Sequence, residues 1–430
     1  MGELADIRRV RAVSGAQLAG KIFRRLVNGF TRIKLMPRKL IYLYKVFLRF
    51  LFDVPLYIRA LLLIRNARHK NNMSVLAEIA TTNEFFYLLP VLKKLCEDNA
   101  AIIFFCRAGL RGALSELRDS FFVSTPPFIL DISWIRKFPE VDFYLNATLS
   151  YDIVVPARAK YKINFPHTTT AKNKDIFSPA IGKISDSFNS GPAYETDLLN
   201  YCKENNIKQI PRMHAVGVPR TDALFDHTID RERFLSGVGL DPNKRTVMYA
   251  PTWNQDASLM SWIEHILEIP EKHNVNLIVK IHPGMYINPK NKKSSGGVDW
   301  KTFFAQERLM KKGIINVYNE DSVDYVMASD IGITDMSTIW TEFFILHKHM
   351  VFIHMEEFFK NHGLSSLGDF RERCGYMVSD IGALDKVLDD IFSGNLPVKT
   401  DQALEKLISY NAGGATKATV DKLKETYEAK

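Results

Sequence analysis

The sequence predicts an α/β protein with two Rossmann-like domains, each built on a parallel sheet, behind a basic helical arm. Short apolar segments alternate with helix-period segments from about Met73 onward. A polar stretch with Gly and Pro, residues 226–245, interrupts this alternation once. We therefore predict an arm over 1–70, domains over 71–225 and 246–398, a linker over 226–245 and a helical tail over 399–430.

Charge separates the arm from the rest of the chain. Residues 1–70 carry 16 Lys and Arg against three acidic residues, a net charge of +13, which leaves −4 for the remainder of a chain whose total is +9. The length of 430 residues suits two domains. The four cysteines have no paired spacing, which argues against a disulfide framework or zinc site and indicates a reducing compartment.

The arm predicts an amphipathic helix. Lys45, Arg49, Asp53 and Arg59 interrupt its apolar run, so it is too charged to span a membrane. A helix starting near Pro37 places its basic residues on one face and its apolar residues opposite. This pattern favours the surface of an anionic membrane, with packing on its own chain or another subunit as the alternative. Nucleic acid is disfavoured because no recognition motif accompanies the charge and the body is acidic.

The first domain alternates between the two element types. Its predicted strands are Ser74–Ala80, Ala101–Cys106, Val141–Leu145 and Tyr161–Phe165. Its predicted helices are Asn83–Glu97, kinked or split at Pro90, and Glu195–Asn205.

The second domain repeats this rhythm. Its predicted strands are Thr246–Tyr249, Leu277–Ile281, Ile314–Val317, Ile331–Ile333 and Met350–Ile353. Its predicted helices are Leu259–Ile269, ending at Pro270, then Trp300–Lys311, Asp324–Ala328, one after Ser337, and Leu384–Phe392. Two such halves with a linker describe the GT-B architecture, in which the active site is the cleft between the halves.

The stretch from Ala328 to Leu346 combines a buried strand, a polar turn and a helix start. Ser337 or Thr338 is the expected N-cap of that helix. Unpaired N–H groups at a helix start bind anions, and phosphate is the usual one. An ordinary capped helix is the alternative.

Two histidines stand out among eleven. His167 and His282 each precede a turn at a predicted strand end, and they come from different halves, so they could meet across a cleft. The other histidine contexts, such as His214, read as structural. The chain has no Gly-x-Gly-x-x-Gly after the first strand of either half, no P-loop and no Asp-x-Asp pair.

Five motifs in order resemble the CDP-glycerol glycerophosphotransferase family, which builds teichoic acids and related capsule polymers. They cover roughly residues 160–355. They are His167-Thr168-Thr169-Thr170-Ala171-Lys172, Gly217-Val218-Pro219-Arg220-Thr221-Asp222, Tyr249-Ala250-Pro251-Thr252-Trp253, Lys280-Ile281-His282-Pro283, and Ser329-Asp330 through Asp335-Met336-Ser337-Thr338 to Glu342.

The resemblance implies a GT-B fold, a CDP-linked polyol donor held mainly by the second half, and release of CMP without a metal or redox cofactor. It implies a lipid-linked acceptor and peripheral attachment to the cytoplasmic face of the membrane. The catalytic residues would be His167 and His282. Phosphate would be neutralised by Lys172 and Arg220, and the donor would be bound by Thr252, Trp253, Asp335, Ser337, Thr338 and Glu342.

The sequence departs from the family at several motif positions. Thr168 and Thr170 replace a usual glycine and proline, and Met336, Thr338 and Glu342 replace a usual tyrosine, serine and aspartate. These changes leave the polyol open: glycerol, ribitol or another. A GT-B glycosyltransferase or epimerase using a nucleotide sugar is one alternative, and a non-catalytic membrane-associated homologue is another. A homo-oligomer is compatible with the sequence.

Overall fold

The computed structural model describes residues 38–123, 126–148, 155–156, 158–165, 177–226, 229–253, 256–287, 295–306, Leu309, 312–318, 320–362, 366–367 and 369–429. Within these residues the strands form two sheets, one of seven strands and one of six, and all of the pairings are parallel. The predicted fold class, two α/β domains on parallel sheets, is confirmed.

The first sheet has the order β3-β2-β1-β4-β5-β6-β7. Its central strands are buried along their whole length, which explains why they read as continuous apolar runs. The strands are β1 (Ser74–Ile79), β2 (Ala101–Cys106), β3 (Phe128–Asp131), β4 (Val141–Asn146), β5 (Ala159–Asn164), β6 (Asp186–Asn189) and β7 (Arg212–Ala215).

Helices join these strands, together with short 3₁₀ turns. The helices from the arm to the linker are α1 (Arg38–His69), α2 (Thr82–Glu97), α3 (Arg111–Phe121), α4 (Pro192–Glu204), α5 (Ala223–Asp226) and α6 (Arg231–Gly237). Thr81 caps α2, because its side chain accepts a hydrogen bond from the amide of Glu84.

The second sheet has the order β10-β9-β8-β11-β12-β13. The strands are β8 (Thr246–Tyr249), β9 (Asn276–Val279), β10 (Ile314–Asn316), β11 (Ile331–Thr334), β12 (His349–Ile353) and β13 (Tyr376–Val378). The helices are α7 (Ser258–Ile266), α8 (Ile269–His273), α9 (Gly284–Ile287), α10 (Trp300–Phe304), α11 (Val323–Ala328), α12 (Trp340–Ile345), α13 (Glu356–His362), α14 (Arg371–Cys374), α15 (Ile381–Phe392), α16 (Gln402–Ile408) and α17 (Ala415–Glu428).

In each sheet the first strand, β1 or β8, is central, and the next two strands lie on one side of it. The strand order then continues on the other side with β4 or β11. Because every strand is parallel, the carboxyl ends of each sheet lie along one edge. Ligands of such folds bind at that edge, next to the point where the strand order reverses. In the second sheet this point lies between β8 and β11.

The C-terminal segment contributes to both halves. Leu404 and Ile408 of α16 lie in the core of the second half, whereas Val420 and Leu423 of α17 lie in the core of the first. Asp222 caps α17 by accepting hydrogen bonds from the amides of residues 415 and 416. The predicted domain boundaries remain predictions.

Several predicted element ends differ from the structure. The helix after β8 ends at Ile266, and Pro270 lies in the first turn of the next helix, where proline is tolerated. The helix at Trp300 stops at Phe304. Pro90 lies inside a continuous α2. Strands β3, β6, β7 and β13, each of three or four residues, were not predicted.

Helix α1 is the described part of the arm. It begins at Arg38 and continues for 32 residues with Pro55 inside it. Residues 1–37 lie outside the described residues, as do the side chains of 38–52, on which most of the predicted amphipathic pattern rests. Throughout the described ranges, no helix is long and apolar enough to cross a membrane.

Candidate active site

The carboxyl edge of the second sheet brings together residues from three motifs. Strands β9, β8 and β11 are neighbours, and they lead directly into His282, Thr252 and Asp335. The backbone amide of Thr252 donates to the Asp335 carboxylate at 2.8 Å, so the loops after β8 and β11 are in contact. These motifs are far apart in sequence, and the sheet topology is what makes them one site.

Asp335 is fully buried and holds this edge together. Its Oδ1 accepts from Thr252, and its Oδ2 accepts from the amide and the hydroxyl of Ser258 at 2.8 and 2.9 Å. Several donors compensate the buried charge. Asp335 therefore fixes the loop that carries Thr252 and Trp253, and its predicted role as a ligand for donor hydroxyls remains a prediction.

Ser337 and Thr338 lie in a turn that precedes α12. The carbonyl of Ser337 accepts from Trp340 and that of Thr338 from Thr341, a 3₁₀ pattern. Helix α12 begins only at Trp340, its N-cap is Ile339, and no side chain caps it. The prediction that Ser337 or Thr338 is the N-cap is therefore wrong.

The 3₁₀ turn also explains where the two hydroxyl groups are. Both side chains are half-buried at the sheet edge. Neither hydroxyl makes a hydrogen bond to any residue in the described part of the chain. The turn thus leaves two hydroxyl groups at the edge that the helix does not use.

Trp253 and His282 form a stacked pair at the same edge. Their ring centroids are 5.5 Å apart with an interplanar angle of 26°. Trp253 is 47% exposed although it is a large aromatic residue. His282 Nδ1 accepts a hydrogen bond from the amide of Gly284 at 3.0 Å. The pair therefore presents an aromatic surface with a fixed imidazole beside Thr252.

Arg220 lies where the two halves meet, and it is 5% exposed. Its Nε donates to Asp321 at 2.9 Å, its Nη1 to Glu342 at 2.8 Å, and its Nη2 to Asp321 and Ser322 at 2.6 Å. The guanidinium carbon lies 4.9 Å from the centroid of the Tyr87 ring, which belongs to α2 of the first half. Arg220 is thus not a solvated surface charge, and the protein itself occupies most of its donors.

The charges of this junction cluster, Arg220, Asp321 and Glu342, depend on one another. Burial alone disfavours the charged arginine, but the neighbouring carboxylates raise the pKa of Arg220 well above its usual value. Burial raises the pKa of Glu342, against the lowering effect of Arg220. Glu342 Oε2 is buried without a hydrogen-bond partner among the described residues, as is Thr252 Oγ1. Buried oxygens of this kind are unusual in a folded protein.

Lys280 belongs to this site, although the sequence argument did not assign it a role. Burial, followed by repulsion from Arg220, lowers the pKa of Lys280 to about 8. Its ammonium makes no hydrogen bond to another described residue. The available signal was its position two residues before His282, because alternate residues of an extended segment point to the same side.

The two first-half candidates, His167 and Lys172, lie outside the described residues. Strand β5, which precedes them, ends at Asn164. Their assigned roles remain predictions.

The carboxyl edge of the first sheet carries a second polar cluster, which the sequence argument missed. Glu78, near the end of β1, accepts a hydrogen bond from the Tyr144 hydroxyl. Burial and, to a lesser extent, nearby Glu84 raise the pKa of Glu78 to about 7, against the lowering effect of the Tyr144 hydrogen bond. Glu84 accepts from the Thr148 hydroxyl at 2.6 Å and from the Ala80 amide at 2.8 Å. The signal was Glu78 itself, a carboxylate inside an apolar strand.

Comparison with known families finds a match that spans the end of the first half and most of the second. Residues 200–364 match the family model described as CDP-Glycerol:Poly(glycerophosphate) glycerophosphotransferase. The family resemblance is confirmed. The matched residues include Arg220, the carboxyl ends of β8, β9 and β11, and Glu342.

A curated relative agrees with this result. The chain is 26% identical over 173 residues to the teichoic acid glycerol-phosphate primase of Bacillus subtilis (strain 168). The matched segment covers 40% of this chain and 40% of that relative.

Solved structures extend the likeness to most of the chain. A variant of the wall teichoic acid polymerase TagF matches with a TM-score of 0.61 and 14% identity over 83% of this chain and 89% of that one. The S. aureus MnaA–UDP structure matches with a TM-score of 0.51 and 14% identity over 83% and 97%. At this identity the likeness concerns the fold, and it supports the GT-B assignment.

Proposed function

We propose that this chain transfers a polyol phosphate from a CDP-linked donor to a hydroxyl group of a lipid-linked acceptor and releases CMP. The product would be a teichoic acid-like or capsule polymer. One observation carries this proposal. The family match covers the residues that lie together at the carboxyl edge of the second sheet. A TagF structure soaked with CDPG supports glycerol as the first polyol to test.

The reaction forms one phosphorus–oxygen bond and breaks another. The acceptor oxygen attacks the distal phosphorus of the donor, and the bond from that phosphorus to the bridging oxygen of CMP breaks. The acceptor proton goes to a base, for which His167 is the candidate. Such transfers depend on positioning and on charge neutralisation more than on covalent catalysis.

The donor phosphates would lie at the carboxyl edge of the second sheet. The hydroxyl groups of Ser337 and Thr338 are suited to donate to phosphate oxygens, and the Lys280 ammonium would neutralise part of their charge. His282 would hydrogen-bond the diphosphate, and exposed Trp253 offers an apolar face to the nucleotide. Arg220 would not bind the donor phosphates directly, since its donors already bind Asp321 and Glu342.

The direct test is a mass-spectrometric screen of the full chain with CDP-glycerol, CDP-ribitol and common nucleotide sugars, each with a lipid-linked acceptor. We expect turnover of a CDP-polyol with release of CMP. Loss of a catalytic acid or base costs about 10²–10⁴ in rate. His167→Ala and His282→Ala should therefore each be strongly impaired.

The other outcomes identify the alternatives. Release of UDP from a nucleotide sugar would replace the proposal with a glycosyltransferase or epimerase. No turnover and no CDP binding at Ser337 would indicate a non-catalytic homologue. Near-full activity of both histidine variants would contradict the mechanism even if CMP is released.

The arm would attach the protein to the cytoplasmic leaflet, where a lipid-linked acceptor would be found. The net charge of +13 over residues 1–70 supports this proposal. Flotation with anionic liposomes should weaken sharply between low and high salt, because surface electrostatics are screened. Flotation that is absent or insensitive to salt would favour a helix packed on protein.

A further inference from the structure

The imidazole of His282 is held from two sides. The Trp253 ring stacks on it with centroids 5.5 Å apart, and the amide of Gly284 donates to its Nδ1 at 3.0 Å. The amide of Met285 donates to the His282 carbonyl at 2.9 Å, which closes the turn that carries Gly284. The position of the ring is therefore set by the turn after β9 and by the loop after β8.

The hydrogen bond from Gly284 determines the tautomer. A backbone N–H can only donate, so the nitrogen that accepts from it has no hydrogen. A neutral imidazole with unprotonated Nδ1 carries its hydrogen on Nε2. His282 can therefore donate a hydrogen bond through Nε2, whereas its proton-accepting nitrogen is already occupied.

Space is also tight at this position. A Cβ atom at residue 284 would lie 3.0 Å from His282 Nδ1 and 3.9 Å from Trp253 Cε3. The first distance is shorter than an ordinary contact, so a side chain here would press on the imidazole, which would have to shift by a few tenths of an ångström. The absence of a side chain lets the amide approach the ring while Trp253 covers its face.

We propose that Gly284 is a positioning residue that holds His282 in the Nε2–H tautomer, so that His282 donates a hydrogen bond to the donor diphosphate and is not the base. This inference deepens the proposed function and rests on it. The oxygen that bridges to CMP gains negative charge as its bond to the distal phosphorus breaks. A fixed N–H donor stabilises that charge without reorganisation. The acceptor proton must then go to a different group.

The tautomer can be measured without any turnover. Long-range ¹H–¹⁵N correlation spectra of the full chain with ¹⁵N-labelled histidine, at about pH 8.5, report which ring nitrogen carries hydrogen in a neutral imidazole. The His282 signals are identified by their absence in His282→Gln. We expect a protonated Nε2 and an unprotonated Nδ1. A hydrogen on Nδ1 would overturn the inference whether or not the chain turns over CDP-polyols.

Two substitutions of Gly284 separate the effect of losing the hydrogen bond from the effect of adding side-chain volume. Gly284→Ala keeps the N–H and adds a carbon, whereas Gly284→Pro adds carbons and removes the N–H. Residue 284 is the first of α9, a position that tolerates proline. We expect Gly284→Pro to be about tenfold or more below Gly284→Ala in kcat, with mixed tautomers in its spectrum. Equal kcat and equal spectra would show that the amide has no such role.

Two substitutions of His282 test which nitrogen matters. Glutamine places an N–H group near the position of Nε2, whereas asparagine places its polar atoms near Nδ1. We expect His282→Gln to retain about tenfold more turnover than His282→Asn. Equal or higher turnover of His282→Asn would overturn the inference. If wild type turns over no CDP-polyol, the proposed function fails while the tautomer measurement remains valid.

Discussion

The two sheets share one order over six strands, but their carboxyl edges differ in which polar groups lack a hydrogen-bond partner among the described residues. The edge of the first sheet holds Glu78 and Glu84, two buried carboxylates whose hydrogen bonds come from the protein itself. The edge of the second sheet holds the hydroxyl groups of Ser337 and Thr338 and the ammonium of Lys280, which lack such bonds among the described residues. The topology provides two equivalent positions, and under the proposed function the residue types favour the second one for phosphate.

Electrostatics explains the difference. Carboxylates at an edge repel a diphosphate, and a high pKa, such as that of Glu78, reduces the repulsion only by removing the charge. Hydroxyl groups and an ammonium group attract phosphate. Arg220 links the two halves, because it packs on Tyr87 of the first half and pairs with Glu342 of the second.

The largest effect is expected where the two halves meet. Arg220→Met leaves Glu342 and Asp321 without their cation, and breaking a buried pair costs about 3–5 kcal/mol of the free energy of unfolding. Urea unfolding measures this loss. The control is Arg373→Met, which removes a pair with Asp401 whose arginine side chain is 41% exposed, and it should cost less than about 1 kcal/mol. Equal losses would show that Arg220 does not hold the halves together.

The next effect tests the first edge. The pKa of Glu78 is raised from 4.5 to about 7, so the folded state binds the proton more tightly than the unfolded state. The resulting stabilisation is complete below pH 4.5 and is lost as the pH rises through 7, a change of about 3 kcal/mol. Glu78→Gln does not titrate, so its stability relative to wild type should rise by about that amount between pH 5 and 8.

Urea unfolding at both pH values provides this comparison. Glu116→Gln is the matched control, because the side chain of Glu116 is exposed on α3. If the difference in unfolding free energy between Glu78→Gln and wild type did not change with pH, Glu78 would be charged in the folded protein. The contrast between the two edges would then be larger.

The third effect tests the second edge through activity. Ser337→Ala and Thr338→Val remove hydroxyl groups that make no hydrogen bond to the described residues, so each should change stability by less than about 0.5 kcal/mol. A hydrogen bond to a charged group contributes about 1.5–3 kcal/mol, so turnover of the CDP donor should fall about 10–100-fold. Ser393→Ala, an exposed serine after α15, is the control. Unchanged turnover in both variants would show that the donor phosphates do not bind to these hydroxyl groups.

The sequence predicted the fold well because buried parallel strands have a clear signature. Ala101–Cys106 and Thr246–Tyr249 were predicted to the residue, since apolar runs between polar turns define such strands. Strands without such a run were missed, as with Asp186–Asn189 and Arg212–Ala215, whose residues are mostly polar.

The sequence could name candidate site residues but not their geometry. Motif spacing selected Thr252, His282 and Ser337, and the topology brings the loops after β8 and β11 into contact. Sequence could not show that Arg220 is buried, because its partners lie about a hundred residues away. It also could not show that residues 337–339 form a 3₁₀ turn, since tertiary packing decides where a short helix begins.

The smallest effect concerns the charge of Lys280. Its pKa of about 8, lowered by burial and by Arg220, means that the ammonium loses its proton as the pH rises through 8. If Lys280 neutralises the donor phosphates, the KM for the CDP donor should rise several-fold from pH 7 to 9 while kcat changes less. Lys280→Arg keeps its charge over this range and should flatten the rise. Parallel pH profiles for wild type and Lys280→Arg would assign the phosphate charge to other groups, and only the hydroxyl groups would then distinguish the second edge from the first.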